Sequence, residues 1–115
     1  MNINAGVDVL LNNNLISETE LSQMVGDSPS KIVKFFCGSA TWLLSEYDHE
    51  ANVFFGLCDL GLGCPELGYV SPVELSGLVQ GTPRGFVLER DKYFEPTKTL
   101  KDYTKDAMRQ GSITA

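Results

Sequence analysis

The chain is poor in the residues that most enzyme chemistry requires. It holds one histidine (His49), one tryptophan (Trp42) and three cysteines among 115 residues. Any histidine-dependent acid–base or metal chemistry must therefore run through His49, which sits in a polar, turn-like stretch. Bases are scarce as well. Residues 1–83 carry ten acids against Lys31 and Lys34, a balance of −8. No basic stripe is available there for phosphate contacts, which supply most nucleic-acid affinity. No run approaches the roughly 18 apolar residues that a membrane span needs. No basic start followed by a short apolar stretch suggests a secretory signal. Cys37, Cys58 and Cys64 are an odd set without framework spacing, so reduced thiols and a cytoplasmic location are expected.

What is present is ordinary globular material. A hydrophobic share of 43% with 10% aromatics can build a core, and the length suits one domain over 1–115. Residues 84–115 reverse the charge balance with seven bases against five acids. Asp102 and Asp106 dilute those bases too far for a nucleic-acid arm. An acidic body fits either a plain solubilising surface or mimicry of nucleic acid.

Periodicity divides the chain. Ile3, Val7, Leu10 and Leu11 share a helical face, so a helix is expected over 3–12. Ser17-Glu18-Thr19-Glu20 is a capping box for a second helix over 18–25. The two helices form an N-terminal appendage, 1–27. After the break at Ser28-Pro29-Ser30, strands are expected over 31–37, 41–47 and 53–59, with polar turns between them. Tyr69-Val70 is a short fourth strand. Ser71-Pro72-Val73-Glu74 starts a helix with its cap, its N1 proline and its N3 acid in order. Residues 84–88 read as a fifth strand or extended edge, 99–109 as a last helix, and 110–115 as a frayed tail. The expected fold is α+β: a four- to five-stranded, mainly antiparallel sheet whose helices cover one face, with its core in 31–103.

The stretch from Phe54 to Ser71 is rich in glycine. Positions 56, 61, 63 and 68 predict positive φ or close backbone approach. Gly61-Leu62-Gly63 is not a dinucleotide fingerprint, because the third glycine, the helix and the ribose-binding acid are missing.

The chemistry-bearing residues make no complete motif. Cys37, Cys58, Cys64 and His49 are nominally a zinc set, yet no two cysteines have knuckle spacing. No base neighbours a serine or cysteine nucleophile in sequence. No catalytic residue, metal or cofactor is therefore assigned. Glu46 and Asp48 lie two apart on one strand face, and Asp59 and Glu66 flank the glycine-rich loop. These acids suit a cation or acid–base site, or simply a solvated strand edge. In Glu89-Arg90-Asp91 the arginine points away from both acids and is placed to clamp Glu66 or Glu46 bidentately. Phe54 and Phe55 must point to opposite faces. If one face is open, one of them is a contact point.

Trp42, Glu46 and Asp48, then Phe54-Phe55-Gly56-Leu57, then Glu66-Leu67-Gly68-Tyr69-Val70-Ser71 with Glu74-Leu75, then Glu89-Arg90-Asp91 with Phe94 and Pro96, follow in a specific order. Over about residues 33 to 103 the chain resembles the family called domain of unknown function 2958. Cys58 and Cys64 fall outside that pattern. The resemblance brings no activity and no catalytic residues. It implies a genetic context of bacterial plasmids, conjugative elements and other mobile DNA, where small acidic proteins often oppose host defences.

Two function classes follow. One is a mobile-element accessory protein that binds a host or element-encoded protein, such as a restriction or CRISPR-type defence complex. Its contacts are expected from Glu46, Asp48, Glu50, Phe54, Phe55, Asp59 and Glu66. It would bind neither nucleic acid nor membrane directly, and both monomer and homodimer suit it. The other is a small enzyme or divalent-cation-binding domain built on Glu46, Asp48, Asp59 and Glu66.

Overall fold

The structure is a computed structural model that describes residues 5–26 and 32–115. Neighbouring strands in the sequence pair with one another. β1 (Val33–Cys37), β2 (Ala40–Asp48), β3 (Val53–Asp59) and β4 (Glu66–Val70) form an antiparallel meander, and β5 (Glu89–Arg90) joins the far side of β1. The strand order is β4-β3-β2-β1-β5, so β4 and β5 are the edges. Turn chemistry fixes the central hairpin. Asp48 Oδ1 accepts from the backbone N–H of Glu50 (2.9 Å) and Ala51 (3.1 Å), and Asn52 takes a left-handed φ of 52°.

The described residues form four helices, α1 (Val7–Asn12), α2 (Glu18–Gln23), α3 (Pro72–Gly77) and α4 (Leu100–Gln110). The caps of α2 and α3 are those the sequence shows, and Thr99, expected as the first helical residue, is instead the cap of α4. Ser17 and Glu20 complete the capping box, Ser71 accepts from Val73 and Glu74, and Thr99 accepts from Asp102.

The helices do not share one face of the sheet. Val7, Leu10, Leu21, Met24 and Leu75 pack from α1, α2, α3 and the chain after α2 against Phe35, Trp42, Leu44 and Phe54. On the opposite face, Leu100, Tyr103 and Ala107 of α4 pack against Ile32, Leu43 and Leu57. Strand alternation dictates this split, because Leu43 and Leu44, or Phe54 and Leu57, belong to opposite faces. Full burial of side chains such as Phe35 and Phe54 contributes about 1.5–3 kcal/mol each. The α1–α2 segment is thus built into the core and is no appendage. The backbone N–H of Tyr47 donates to Met24 O at 3.0 Å, which ties the end of α2 to β2.

Three other expectations change. Residues 84–88 are not a strand. Thr82 N–H donates to Phe86 O (2.7 Å) and Phe86 N–H donates to Thr82 Oγ1 (3.1 Å), closing a loop, and sheet pairing begins only at Glu89. β4 starts at Glu66, three residues before the expected Tyr69. The tail is held, not frayed: Ile113 packs into the α4 core and Lys34 Nζ donates to Ala115 O at 2.6 Å. Ile3, the break at 28–30 and the first residue of the strand expected over 31–37 lie outside the described residues. Among the described residues, no helix is long and apolar enough to cross a membrane.

Candidate interaction surface

The seven candidate contact residues do not form one site. Asp59 is buried, and both of its carboxylate oxygens are engaged. Oδ1 accepts from Gly61 N–H at 2.8 Å and Oδ2 from Ile113 N–H at 2.9 Å. It is a clasp between the glycine-rich loop and the C-terminal segment and cannot contact a partner. Asp59→Ala should cost about 1–3 kcal/mol in urea unfolding, because two amides lose their acceptor. An unchanged midpoint would show that the clasp contributes nothing.

Phe54 is also excluded. It is fully buried and packs on Tyr47 with ring centroids 5.0 Å apart. Phe55 faces the other way and is half-buried, with Tyr69 edge-on to it at 5.5 Å. The opposition of the two rings is as the sequence requires. A register shift between Leu44 and Glu46 turns Glu46 toward Phe55 as well. Glu46, Phe55 and Leu67 line one side of a groove of about 260 Å³, and Leu100, Lys101, Thr104 and Lys105 of α4 line the other. Sequence reasoning missed Leu67 and Tyr69 as surface residues, although Tyr69 is 78% exposed. Their alternation was visible, but the edge position of β4 was not.

Arg90 makes the bidentate clamp expected of it, with a different acid. Nη1 reaches Glu20 Oε1 at 3.1 Å, Nη2 reaches Oε2 at 2.5 Å, and Nη1 also donates to Leu15 O at 3.0 Å. β5 lies on the edge opposite β4, so Glu66 is out of reach. Glu20 Oε1 also accepts from Ser17 N–H at 3.0 Å, so one carboxylate serves both the helix cap and the ion pair. The hydrogen bond from Arg90 is the largest influence on the Glu20 carboxyl and holds it below the usual carboxylate range.

The carboxylates of the cation reading are dispersed. Asp59 lies under the tail, Asp48 organises a turn, and Glu66 is exposed on β4, where it pairs with Cys58 at the far end of β3. Among the described residues no group of three or more His, Cys, Asp or Glu could hold a metal ion. Two of the three thiols offer little nucleophilic character. Burial pushes both Cys37 and Cys58 above the ordinary thiol range, which keeps them protonated at neutral pH. His49 packs edge-on against Tyr47 at 4.7 Å in the β2–β3 turn, at the opposite end of β3 from Cys58.

Charge is what the surface does organise. Residues 35–83 contain no Lys or Arg. Glu18, Asp48, Glu50, Glu66 and Glu74 are exposed and have no ion-pair partner among the described residues. The available bases are used elsewhere: Lys34 pairs with Asp91 (3.2 Å), Arg90 with Glu20, and Lys98 and Arg109 with Asp106. Acids therefore predominate on the layer of α1, α2, α3 and the β2–β3 turn, where Arg90 is taken up by Glu20, while Lys34, Lys98 and Arg109 lie on the side of α4.

An antiparallel five-stranded sheet, with three short helices on one face and one longer helix on the other, defines an α+β protein. The chain belongs to the family described as Protein of unknown function (DUF2958), whose profile matches residues 7–114. That match takes in α1, α2 and the C-terminal segment, beyond the 33–103 span of the resemblance seen in sequence. No curated protein and no solved structure matches the chain.

Proposed function

We propose that the protein is a small acidic accessory protein of a mobile genetic element and acts by protein–protein interaction. Its target is a basic, nucleic-acid-handling groove of a host defence complex of restriction or CRISPR type. The observation that carries this reading is the charge segregation. Five exposed carboxylates on α2, α3, β4 and the β2–β3 turn lack ion-pair partners among the described residues, in a chain with no Lys or Arg from 35 to 83. Such a surface repels nucleic acid and attracts a basic groove, where it competes with nucleic acid for the same contacts. Mobile-element origin rests on the family's context, and a cytoplasmic location follows from the target.

The test is capture of the partner from a host lysate, followed by challenge of the bound fraction with duplex DNA. A nucleic-acid-binding partner released by DNA is the expected result. A partner that DNA does not displace contradicts competition for a basic groove.

A further inference from the structure

β4 is an outer strand of the sheet with five residues paired on one side only. Natural edge strands are usually blunted by an internal lysine, a proline or a bulge. Glu66-Leu67-Gly68-Tyr69-Val70 contains no lysine or proline, and its pairing to β3 is regular throughout. Pro65 and Pro72 lie just outside it. A β-carbon at Gly68, the middle residue, would find nothing within 4 Å. Leu67 and Tyr69 flank Gly68 on the face that carries Phe55, and they are 44% and 78% exposed. An open, regular edge with two large apolar side chains is a template for another strand.

We propose that β4 pairs antiparallel with β4 of a second copy of this chain, on a two-fold axis through Gly68, so that the two sheets become one. This goes beyond the acidic surface proposed above, with which it shares only Glu66. A two-fold interface requires a patch complementary to itself, and β4 meets that condition at this register. Leu67 of each copy lies opposite Tyr69 of the other, so apolar meets apolar on one face. Glu66 lies opposite Val70, which places the two glutamates at opposite ends of the pair instead of face to face. Gly68 meets Gly68 at the centre. The backbone groups that β4 turns away from β3 gain partners.

Sedimentation of the full chain at physiological salt, where the like charge of the copies is screened, should show a concentration-dependent dimer. Leu67→Lys with Tyr69→Lys should abolish it while the chain keeps the parental circular-dichroism spectrum and a cooperative melt, since neither side chain belongs to the buried core. A second test reads the register. In a background of Cys58→Ser with Cys64→Ser, which also removes the thiol opposite Glu66, Gly68→Cys places two thiols across the two-fold at about 4.5–5.5 Å between β-carbons, near disulfide reach. Oxidised glutathione should then convert it to a covalent dimer, while Glu66→Cys in the same background stays uncrosslinked. A chain that is monomeric at every concentration overturns the proposal. So does a dimer indifferent to the two lysines, or Glu66→Cys crosslinking as readily as Gly68→Cys.

Discussion

Replacing Gly56 with alanine should cost about 3 kcal/mol or more, enough to unfold a marginally stable domain. Gly56 lies in β3 beside β2, the central strand of the sheet. A β-carbon there would sit 2.7 Å from Leu44 Cα and closer still to the Leu43 carbonyl oxygen. Both are backbone atoms of a central strand, so no flexible side chain can swing aside. Relief would require separating β2 from β3. Gly68, directly across β4 from Gly56, makes the control. It does not have a positive φ and its surroundings are open, so Gly68→Ala should shift stability by no more than about 0.5 kcal/mol. Urea unfolding of the two variants beside the parent measures both effects. A Gly56→Ala protein with the parental midpoint would contradict the packing described for β2 and β3.

The second large effect is expected at Arg90. Arg90→Ala leaves Glu20 without its bidentate partner and Leu15 O without a donor, and should cost about 1–3 kcal/mol. The loss should depend on pH in a direction set by Glu20. Its carboxyl is held below the ordinary value of 4.5 in the folded state, chiefly by the Arg90 hydrogen bond. A depressed acid contributes stability that is complete above its unfolded value and disappears as pH falls through the folded one. The parent should therefore exceed Arg90→Ala by a constant margin at neutral pH and by a shrinking margin below about pH 4.5. Arg90→Lys should recover only part of the margin, because an ammonium cannot make the fork. Melting curves of the three proteins across that range decide it. A margin that stays flat into acid would show that Glu20 is not the partner that matters.

Arg90 also shows where sequence reading stops. Its extended setting revealed a side chain placed to clamp a carboxylate, and Ser17-x-x-Glu20 revealed a cap. Nothing local joins residues 70 positions apart. The same holds for Asp59 and Ile113, 54 positions apart, whose hydrogen bond turns an expected surface acid into a buried clasp. The bulge that turns Glu46 toward α4 has no local signature either. Signals confined to a few residues were legible: the caps at Ser17 and Ser71, the turn at Asp48–Asn52, and the opposite facing of Phe54 and Phe55. The glycines show the limit within a single motif. Gly61 and Gly63 have φ of 81° and 84°, Gly56 is held by contact, and Gly68 meets neither condition. Composition marks a demanding backbone but does not say which demand applies at which position. Of the candidate surface, the acidity was legible from counting. Its placement was not, because α1–α3 and α4 take opposite faces only once the sheet exists.

The most direct measurement of the proposed function is the association rate with the captured partner against ionic strength. It should be made for the parent and for Asp48→Asn with Glu50→Gln. Asparagine retains an oxygen to accept from the Glu50 and Ala51 amides, so the turn survives while the charge is lost. If the acidic surface steers binding, the parental rate should fall about tenfold or more between low and physiological salt. The neutralised protein should associate more slowly with a shallower salt dependence, and its dissociation rate should change little. A parental rate that stays flat across that range, and that the double substitution leaves untouched, would contradict the acidic surface as the binding determinant.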